Sequence, residues 1–324
     1  MDNTQEYVVL IAGAGQLGSR YLQGLSKSTL NLNIYVYDIS EESLKRAEIR
    51  WNEVVSEQFR HKLQLLSDFN KIPKTIHLAI ISTNSLSRAE LVSSLNKKCE
   101  IRFWILEKVL AQSVIQIHEI ESTLVNAEGV WVNTPYRAME WYSKIKNQIH
   151  IGTNFTAEIR GGKTFGLACN AIHYIDLLCW ISGESLVSSR IKGLENTWFK
   201  SKRLGFWDLF GTMSLKFSNG SFAQIHGETF EPSKTTISIT TENTKWIIYE
   251  SDGKAVRNDG LILIGRDEYQ SEIIAPIVDS ILQTGACLLT PISESAAMHK
   301  VMISSLMDHW NAVMPERVNE LPIT

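Results

Sequence analysis

A strand-length apolar run that leads directly into a glycine-rich turn constrains this chain more than any other feature. Residues 7–12 (YVVLIA) are followed at once by GAGQLG at 13–18, which matches GxGxxG, and a helical apolar spacing continues over 19–25. A second apolar run, 33–37, ends in Asp38, 20 residues after Gly18. Strand, glycine turn, helix and acidic residue at this spacing are typical of a dinucleotide-binding βαβ unit. We therefore predict an N-terminal Rossmann domain with a doubly wound parallel sheet.

The residues of the turn have distinct roles toward a dinucleotide. Gly13 permits the tight turn, Gly15 lets the backbone approach a pyrophosphate, and Gly18 lets the helix pack close to the strand. Gln16 and Leu17 lie at the start of that helix, whose free N–H groups and dipole face the phosphates. We predict that these five residues bind the cofactor.

Asp38 is predicted to select between the two nicotinamide dinucleotides. Its carboxylate would accept hydrogen bonds from the adenosine ribose hydroxyls and would repel a 2′-phosphate. The next residues, 39–42 (ISEE), offer no Arg or Lys to neutralise that phosphate. NAD is therefore favoured over NADP. The alternative is that Asp38 only starts the helix predicted over 41–50.

Composition favours a two-domain enzyme and excludes several other classes. The chain has 324 residues, 44% of them hydrophobic, which is enough for two cores. A net charge of −3 gives no broad electrostatic surface for nucleic acid or an anionic membrane. We expect a cytoplasmic protein, because there is no apolar run of spanning length and no signal-peptide pattern. The four cysteines are expected to be reduced thiols, and the histidines form no metal-like constellation.

Strands and helices alternate through the first third of the chain. Strands are predicted over 76–82, 101–106 and 129–132, and helices over 88–95 and 114–126. Ligands of a parallel doubly wound sheet bind at the carboxyl ends of its strands. Ser82, Thr83, Asn84, Glu107 and Lys108 all follow such ends, and the first four are predicted to contact the cofactor.

The pattern changes after about residue 130. Alternating segments at 190–197, 211–217, 221–227, 235–241 and 244–250 are separated by turn residues, and Asn219-Gly220 is a hairpin signal. Helices are predicted over 273–282 and 294–307. We predict two domains, a cofactor domain at 1–130 and an α+β domain at 131–324 with an open, mainly antiparallel sheet for substrate binding and oligomerisation. Residues 237–239 and 246–248 are expected to suit a face that pairs with a second copy.

In the order of these motifs the chain resembles the glucose-fructose oxidoreductase, inositol dehydrogenase and MocA family, over nearly its whole length. The matching residues are GAGQLG at 13–18, Asp38, Ser82-Thr83-Asn84, Glu107-Lys108-Val109 at the family's Glu-Lys-Pro, and 170–178 with His173 and Asp176 at its His-bearing helix. Members mostly oxidise or reduce sugars and cyclitols with NAD(P), and commonly pair through the C-terminal sheet. Two positions differ: Val109 replaces the family's Pro, and Cys169 its common Asp.

The resemblance implies that Lys108 is catalytic. In the family this lysine reaches the reacting hydroxyl or carbonyl oxygen, where a cation stabilises developing negative charge. The alternative is a solvated lysine at a strand end. The family's Lys-Pro bond is often cis, and a cis bond before valine costs about 2.5–4 kcal/mol, so we expect the lysine to be aimed differently here.

His173 is the second catalytic candidate, as general acid or base on the substrate oxygen. It falls in the first turns of a helix predicted to run to about residue 181, with Asn170 as a possible cap, and the positive helix end favours a neutral imidazole. Asp176 shares its face and is expected to orient the imidazole or to bind a substrate hydroxyl. Asn170 is expected to bind the substrate as well. The alternatives are a structural histidine at the helix edge and an ordinary i,i+3 pair.

Two further residues complete the predicted site. Cys169 supplies a weak thiol in place of a carboxylate, so the family's proton relay is altered, and Cys169→Asp alone is expected to preserve or raise activity. Arg137 follows a parallel strand and is a candidate for an acidic substrate group or for a salt bridge between domains.

The sequence thus predicts an NAD-dependent oxidoreductase that transfers a hydride to or from a secondary alcohol or ketone of a sugar derivative. A homodimer or homotetramer is expected, with no nucleic acid or membrane partner. The alternative is a nicotinamide-binding sensor or partner subunit that has lost the chemistry.

Overall fold

The computed structural model describes residues 5–56, 61–150, 152–162, 165–192, 198–227 and 234–324. The strands are β1 (Glu6–Ala12), β2 (Asn31–Tyr37), β3 (Lys62–Leu66), β4 (Thr75–Ile81), β5 (Glu100–Glu107), β6 (Gly129–Asn133), β7 (Phe155–Gly161), β8 (Leu186–Lys192), β9 (Trp198–Lys200), β10 (Trp207–Leu209), β11 (Gly211–Phe217), β12 (Phe222–Gly227), β13 (Thr236–Thr241), β14 (Lys245–Tyr249), β15 (Lys254–Arg257), β16 (Ile262–Ile264) and β17 (Thr290–Pro291). The helices are α1 (Gln16–Leu25), α2 (Glu41–Asn52), α3 (Ser85–Lys98), α4 (Val114–Thr123), α5 (Glu140–Lys146), α6 (Leu167–Ser182), α7 (Gln270–Thr284) and α8 (Ile292–Val313). Within the described ranges, no helix is both long and apolar enough to cross a bilayer.

The chain divides into two compact units, each drawn from separate segments. The first contains the described residues of Met1–Leu110, His118–Ala138 and Glu268–Ile292. The second contains those of Ala111–Ile117, Met139–Asp267 and Ser293–Thr324. The segment Glu268–Ile292, which carries α7, therefore belongs to the same unit as the N-terminal strands.

The first unit is built on a seven-stranded sheet in the order β17-β6-β5-β4-β1-β2-β3. Strands β1 to β6 pair in parallel, and β17 runs antiparallel along β6. The strand order reverses between β1 and β4, which is the switch point where ligands of such sheets bind. The predicted Rossmann sheet is confirmed. Strand β3 was not predicted; it is a five-residue edge strand in which only the last residue, Leu66, is fully buried.

The second unit is built on an eight-stranded sheet in the order β16-β15-β14-β13-β7-β12-β11-β8. All pairs are antiparallel except β12 with β7, so the predicted open, mainly antiparallel sheet is confirmed. Gly220 has a φ of 86° in the turn between β11 and β12, as a hairpin there requires. Strand β8 ends at Lys192, so the predicted segment 190–197 begins too late, and its residues 193–197 lie outside the described part of the chain.

One face of the second sheet is covered within the unit, and α6 packs against β11 and β12. Ile237, Ile239, Trp246 and Ile248 are buried to 0–1% exposure in this core. The expectation that these side chains serve a face for a second copy is therefore wrong. The strand alternation was correct, but it does not tell which face of a sheet the chain itself covers.

Candidate cofactor and active site

The glycine-rich turn joins three strand ends of the first unit. Gly13 has a φ of 105°, which favours glycine, and its N–H donates to the Tyr37 carbonyl at 2.8 Å. A Cβ on Gly18 would lie 1.8 Å from the Gly13 carbonyl oxygen and 2.7 Å from the Ser82 Oγ. That hydroxyl donates to the Gly13 carbonyl at 2.7 Å. Gly13, Gly18 and Ser82 are thus brought together and hold α1 close to the ends of β1 and β4.

The outer side of the turn is open and positively polarised. Among the described residues, no atom lies within 4 Å of a Cβ built on Gly15, which is the N-cap of α1. The Arg50 guanidinium reaches over from α2 and donates to the Gln16 side-chain oxygen at 2.7 Å and to Ser19. The Leu17 side chain packs against the hydrophobic core, and its predicted contact with the cofactor stays a prediction. Free helix N–H groups, a nearby cation and room at Gly15 fit a diphosphate.

Asp38 faces the same turn from the end of β2. Its carboxylate accepts the N–H of Ala14 at 2.6 Å and that of Ser40 at 2.8 Å. Ser40 is the N-cap of α2 and accepts from the Ser43 N–H, and the bond from the Ser40 N–H to Asp38 forms the turn that leads into this helix. Each carboxylate oxygen has a second acceptor position, which leaves Asp38 able to bind ribose hydroxyls.

A cavity of about 490 Å³ adjoins Asp38 in the first unit. Tyr37, Ile39, Phe69 and Leu91 give it apolar walls, and Glu90 adds a second carboxylate to that of Asp38. This volume lies within the ordinary range of small-molecule sites, and the composition suits an adenosine. Two carboxylates oppose a phosphate on its ribose.

Thr83 and Asn84 differ in their surroundings. The Thr83 N–H lies against the turn, 2.9 Å from the position of a Cβ on Gly13, and Thr83 also lines the cavity. Asn84 is exposed and is the N-cap of α3, where its side chain accepts from the Ser87 N–H at 3.4 Å. Cofactor binding by these two residues stays a prediction.

Glu107 ends β5 inside a buried polar cluster. Its Oε1 accepts from the Tyr21 hydroxyl and from the Asn133 amide, the latter at 2.7 Å, and the same amide donates to the Gln270 side chain at 2.8 Å. Burial raises the pKa of Glu107, although the hydrogen bonds and nearby positive charges oppose the rise. Because Glu107 is only 3% exposed, it supports the end of β5 from within. Its predicted contact with the cofactor stays a prediction.

Lys108 follows Glu107 and is partly buried. Its peptide bond to Val109 is cis, so the isomer expected at this position of the family is retained despite the valine. The next turn is held by Arg88 of α3, which is 1% exposed and donates to the carbonyls of Thr83, Val109 and Leu110. Sequence reasoning missed Arg88, since a single arginine in a helical pattern indicates an exposed residue.

Arg137 lies in the short 3-10 helix Pro135–Ala138, directly after β6. Its side chain is 8% exposed and belongs to the first unit. Both roles predicted for it remain predictions.

Helix α6 of the second unit carries the remaining predicted residues. Asn170 is not the cap: the N-cap is Gly166, and the Asn170 amide donates to the Gly166 carbonyl at 3.0 Å from the first turn. His173 is partly buried on the same helix, and Asp176, one turn further, is fully buried. Both residues lie in one helix, and their predicted roles toward the substrate stay predictions.

A second buried polar cluster, which the sequence did not reveal, lies beside α6. Glu250 is buried and accepts from the hydroxyls of Tyr142 at 2.5 Å and of Tyr174 at 2.8 Å. Tyr174 is the neighbour of His173 in the helix. Burial raises the pKa of Tyr142 well above its ordinary value, so this hydroxyl stays a donor. The cluster anchors the middle of α6.

The fold and site define a class of protein: a Rossmann unit with a complete dinucleotide fingerprint, joined in one chain to an α+β unit with an open sheet. No family model matches the sequence, and no curated protein matches it either. Solved structures do match in fold. An oxidoreductase from Agrobacterium radiobacter, in complex with NAD+, L-tartaric acid and magnesium, is 14% identical with a TM-score of 0.71 over 95% of this chain and 97% of its own.

Two further solved structures are similar over comparable lengths. Levoglucosan dehydrogenase in complex with NADH is 13% identical with a TM-score of 0.69, over 94% of this chain and 98% of its own. Scyllo-inositol dehydrogenase from Lactobacillus casei, with NAD(H) and scyllo-inositol, is 14% identical with a TM-score of 0.66, over 93% of this chain and 96% of its own. The predicted fold, a Rossmann domain joined to an α+β domain with an open, mainly antiparallel sheet, is confirmed.

Proposed function

We propose that this chain is an NAD-dependent oxidoreductase that acts on a secondary alcohol or ketone of a sugar or sugar derivative. The observation that carries the proposal is the contact between the Asp38 carboxylate and the Ala14 N–H, beside the open Gly15 and the adjoining cavity. This arrangement suits a dinucleotide without a 2′-phosphate. Polyhydroxylated substrates are supported by the inositol and levoglucosan named for proteins of the same fold.

The residues that would hold the cofactor are Gly13, Gly15, Gln16, Gly18 and Asp38. When bound, NAD supplies the acceptor or donor of a hydride. The chain's own contribution is to position and polarise the substrate. Lys108 would stabilise negative charge on the reacting oxygen, and Glu107 and Arg88 hold the chain on both sides of it.

His173 would take or return the proton of the substrate oxygen. A general base has to be neutral before it accepts a proton. Asp176 and Asn170 would contact hydroxyls or orient the ring from the same helix. A cytoplasmic location is part of the proposal, because the four cysteines are free thiols, as is usual in a reducing compartment.

The proposal is tested by a screen of NADH formation from NAD with cyclitols, free sugars and nucleotide-linked sugars. We expect turnover with at least one polyhydroxylated substrate. If NADH binds tightly but none of these compounds supports turnover, the sensor or partner-subunit alternative replaces the enzyme.

NADH is expected to bind at least about tenfold more tightly than NADPH, because Asp38 and Glu90 both oppose a 2′-phosphate. Fluorescence titration of the two nucleotides measures this ratio. Asp38→Ala should lower the ratio by about tenfold or more, whereas Glu48→Ala, which removes an exposed acid of α2, should leave it unchanged. Equal affinities in the parent would remove Asp38 from its role.

The chain is expected to form a dimer or tetramer through the uncovered face of the second sheet. Ser238, Thr240, Ile247 and Tyr249 alternate with the buried side chains and are partly exposed in one copy. Ile247→Glu should therefore give a monomer by light scattering at micromolar concentration, since a charge would be desolvated in the interface. Leu204→Glu, at a side chain 99% exposed in the turn between β9 and β10, is the control. A monomeric parent would contradict the prediction.

A further inference from the structure

Helix α6 receives its N-terminal hydrogen-bond acceptor from a distant strand. Its N-cap is Gly166, which has no side chain, and the first turn, 167–170 (LACN), has no acidic residue. The acceptor is Asp208 of β10, whose Oδ1 lies 2.9 Å from the Ala168 nitrogen. The N–H and the thiol of Cys169 also donate to this carboxylate.

The contact is closely fitted on both sides. A Cβ on Gly166 would lie 1.6 Å from the Asp208 Oδ2, so any other residue at the N-cap would displace the carboxylate. The Leu209 N–H donates to the same Oδ1 at 2.8 Å, and Asp208 is 7% exposed. A buried carboxylate is kept in place by such N–H donors and by the positive end of a helix.

The position of this carboxylate relates it to His173. Cys169 and His173 are four residues apart and therefore lie on the same face of α6. Asp208, the Cys169 thiol and His173 thus follow one another along the first two turns. The hydrogen bond to Asp208 fixes the rotamer of the Cys169 thiol. The carboxylate at the N-terminus of α6 is therefore supplied by β10 and not by the helix itself.

We propose that Asp208 is a positioning residue of the active site, which supplies from β10 the carboxylate that α6 lacks at position 169 and fixes the helix turn that precedes His173. The inference rests on the proposed function, in which His173 exchanges the substrate proton. It also replaces the expectation that Cys169→Asp alone preserves activity. In that variant two carboxylates would share one buried site, and one of them would have to bind a proton.

A charge exchange between the two positions tests the proposal. The variants are Asp208→Asn, Cys169→Asp and the double variant, with Asp259→Asn, an exposed aspartate of the same unit, as control. Each single variant should lower kcat by about tenfold or more while NADH affinity stays within a few-fold. The double variant, in which an amide of residue 208 donates to a carboxylate at 169, should recover kcat to within about threefold of the parent. Full activity of Cys169→Asp alone, or a double variant no better than it, would overturn the proposal.

A second test does not require the Cys169→Asp variant to fold. The rate of alkylation of Cys169 by iodoacetamide is measured by peptide mass spectrometry in proteins that retain this cysteine. Asp208→Asn should speed alkylation by about tenfold, because a carboxylate repels the reactive thiolate, and Asp259→Asn should not change it. An unchanged rate in Asp208→Asn overturns the placement of the thiol. If alkylation changes as expected but the parent turns over no polyol, the positioning role is overturned together with the proposed function. If the parent is active but the double variant does not recover kcat, the positioning role alone is overturned.

Discussion

Lys108→Met and His173→Ala should each slow turnover by roughly 10²-fold or more, as the loss of a charge stabiliser or of a proton-transfer group does. NADH affinity should stay within a few-fold, because the fingerprint turn and Asp38 are untouched by both substitutions. Steady-state kinetics with the best substrate of the screen and NADH titration measure the two effects separately. A fall in kcat without loss of cofactor binding would assign both residues to the chemical step.

The controls for these variants are Lys74→Met, at an exposed lysine before β4, and His118→Ala, at an exposed histidine of α4. Both should keep kcat within a few-fold of the parent. If turnover exists and survives Lys108→Met and His173→Ala, the fold stands and the choice of catalytic residues fails. A loss of NADH binding in Lys108→Met would instead indicate that the substitution disturbs the turn held by Arg88.

Gly18→Ala and Gly15→Ala should separate folding from cofactor binding. The Cβ of Gly18→Ala would meet the Gly13 carbonyl oxygen, a backbone atom that cannot rotate away, so α1 has to shift. We expect a loss of about 3 kcal/mol in the free energy of unfolding and a melting temperature lower by roughly 6–12 °C. Gly15→Ala meets no described atom within 4 Å, so its stability should match the parent.

Cofactor titration should show the larger effect in the other variant, Gly15→Ala. Gly15→Ala should weaken NADH binding by about tenfold or more, because its methyl group occupies the side from which a pyrophosphate approaches the backbone. Differential scanning fluorimetry without and with NADH measures both quantities on the same samples. A Gly15→Ala variant that binds NADH as the parent does would show that the diphosphate lies elsewhere, and a stable Gly18→Ala variant would contradict the close packing of α1.

The parts of the site that sequence could predict are those that lie close together along the chain. The turn at 13–18 and Asp38 could be placed together because a βαβ unit fixes their spacing, and His173 and Asp176 could be placed on one helix face because a helix fixes theirs. Their roles toward cofactor and substrate stay predictions. Arg88, Asn133 and Asp208 gave no such signal. Each has at least one partner on another element of the fold, and tertiary packing decides which partner that is, so the spacing of residues in the sequence does not reveal it.

The same reason explains why sequence did not reveal the packing partners of whole helices and strands. The apolar face of α7 was visible as a helical pattern, but the pattern does not tell that this face packs against α1 in the first unit. Likewise, the alternation over 236–249 was correct, whereas the side of the sheet that the chain covers was not. Asn170 was a reasonable cap by residue type, but Gly166 is the cap because Asp208 approaches it too closely for a side chain.

The return of α7 to the first unit sets an order for synthesis. Thr29 donates from its N–H and its hydroxyl to Asp279, 250 residues later, and the Ile274 side chain fills the space in front of Gly24. A chain that leaves the ribosome from its N-terminus makes the glycine turn first and the helix that covers α1 almost last. A chain that stopped between Asp38 and α7 would therefore carry the whole fingerprint but lack the helix that covers α1, so a shortened product would not be a smaller working protein.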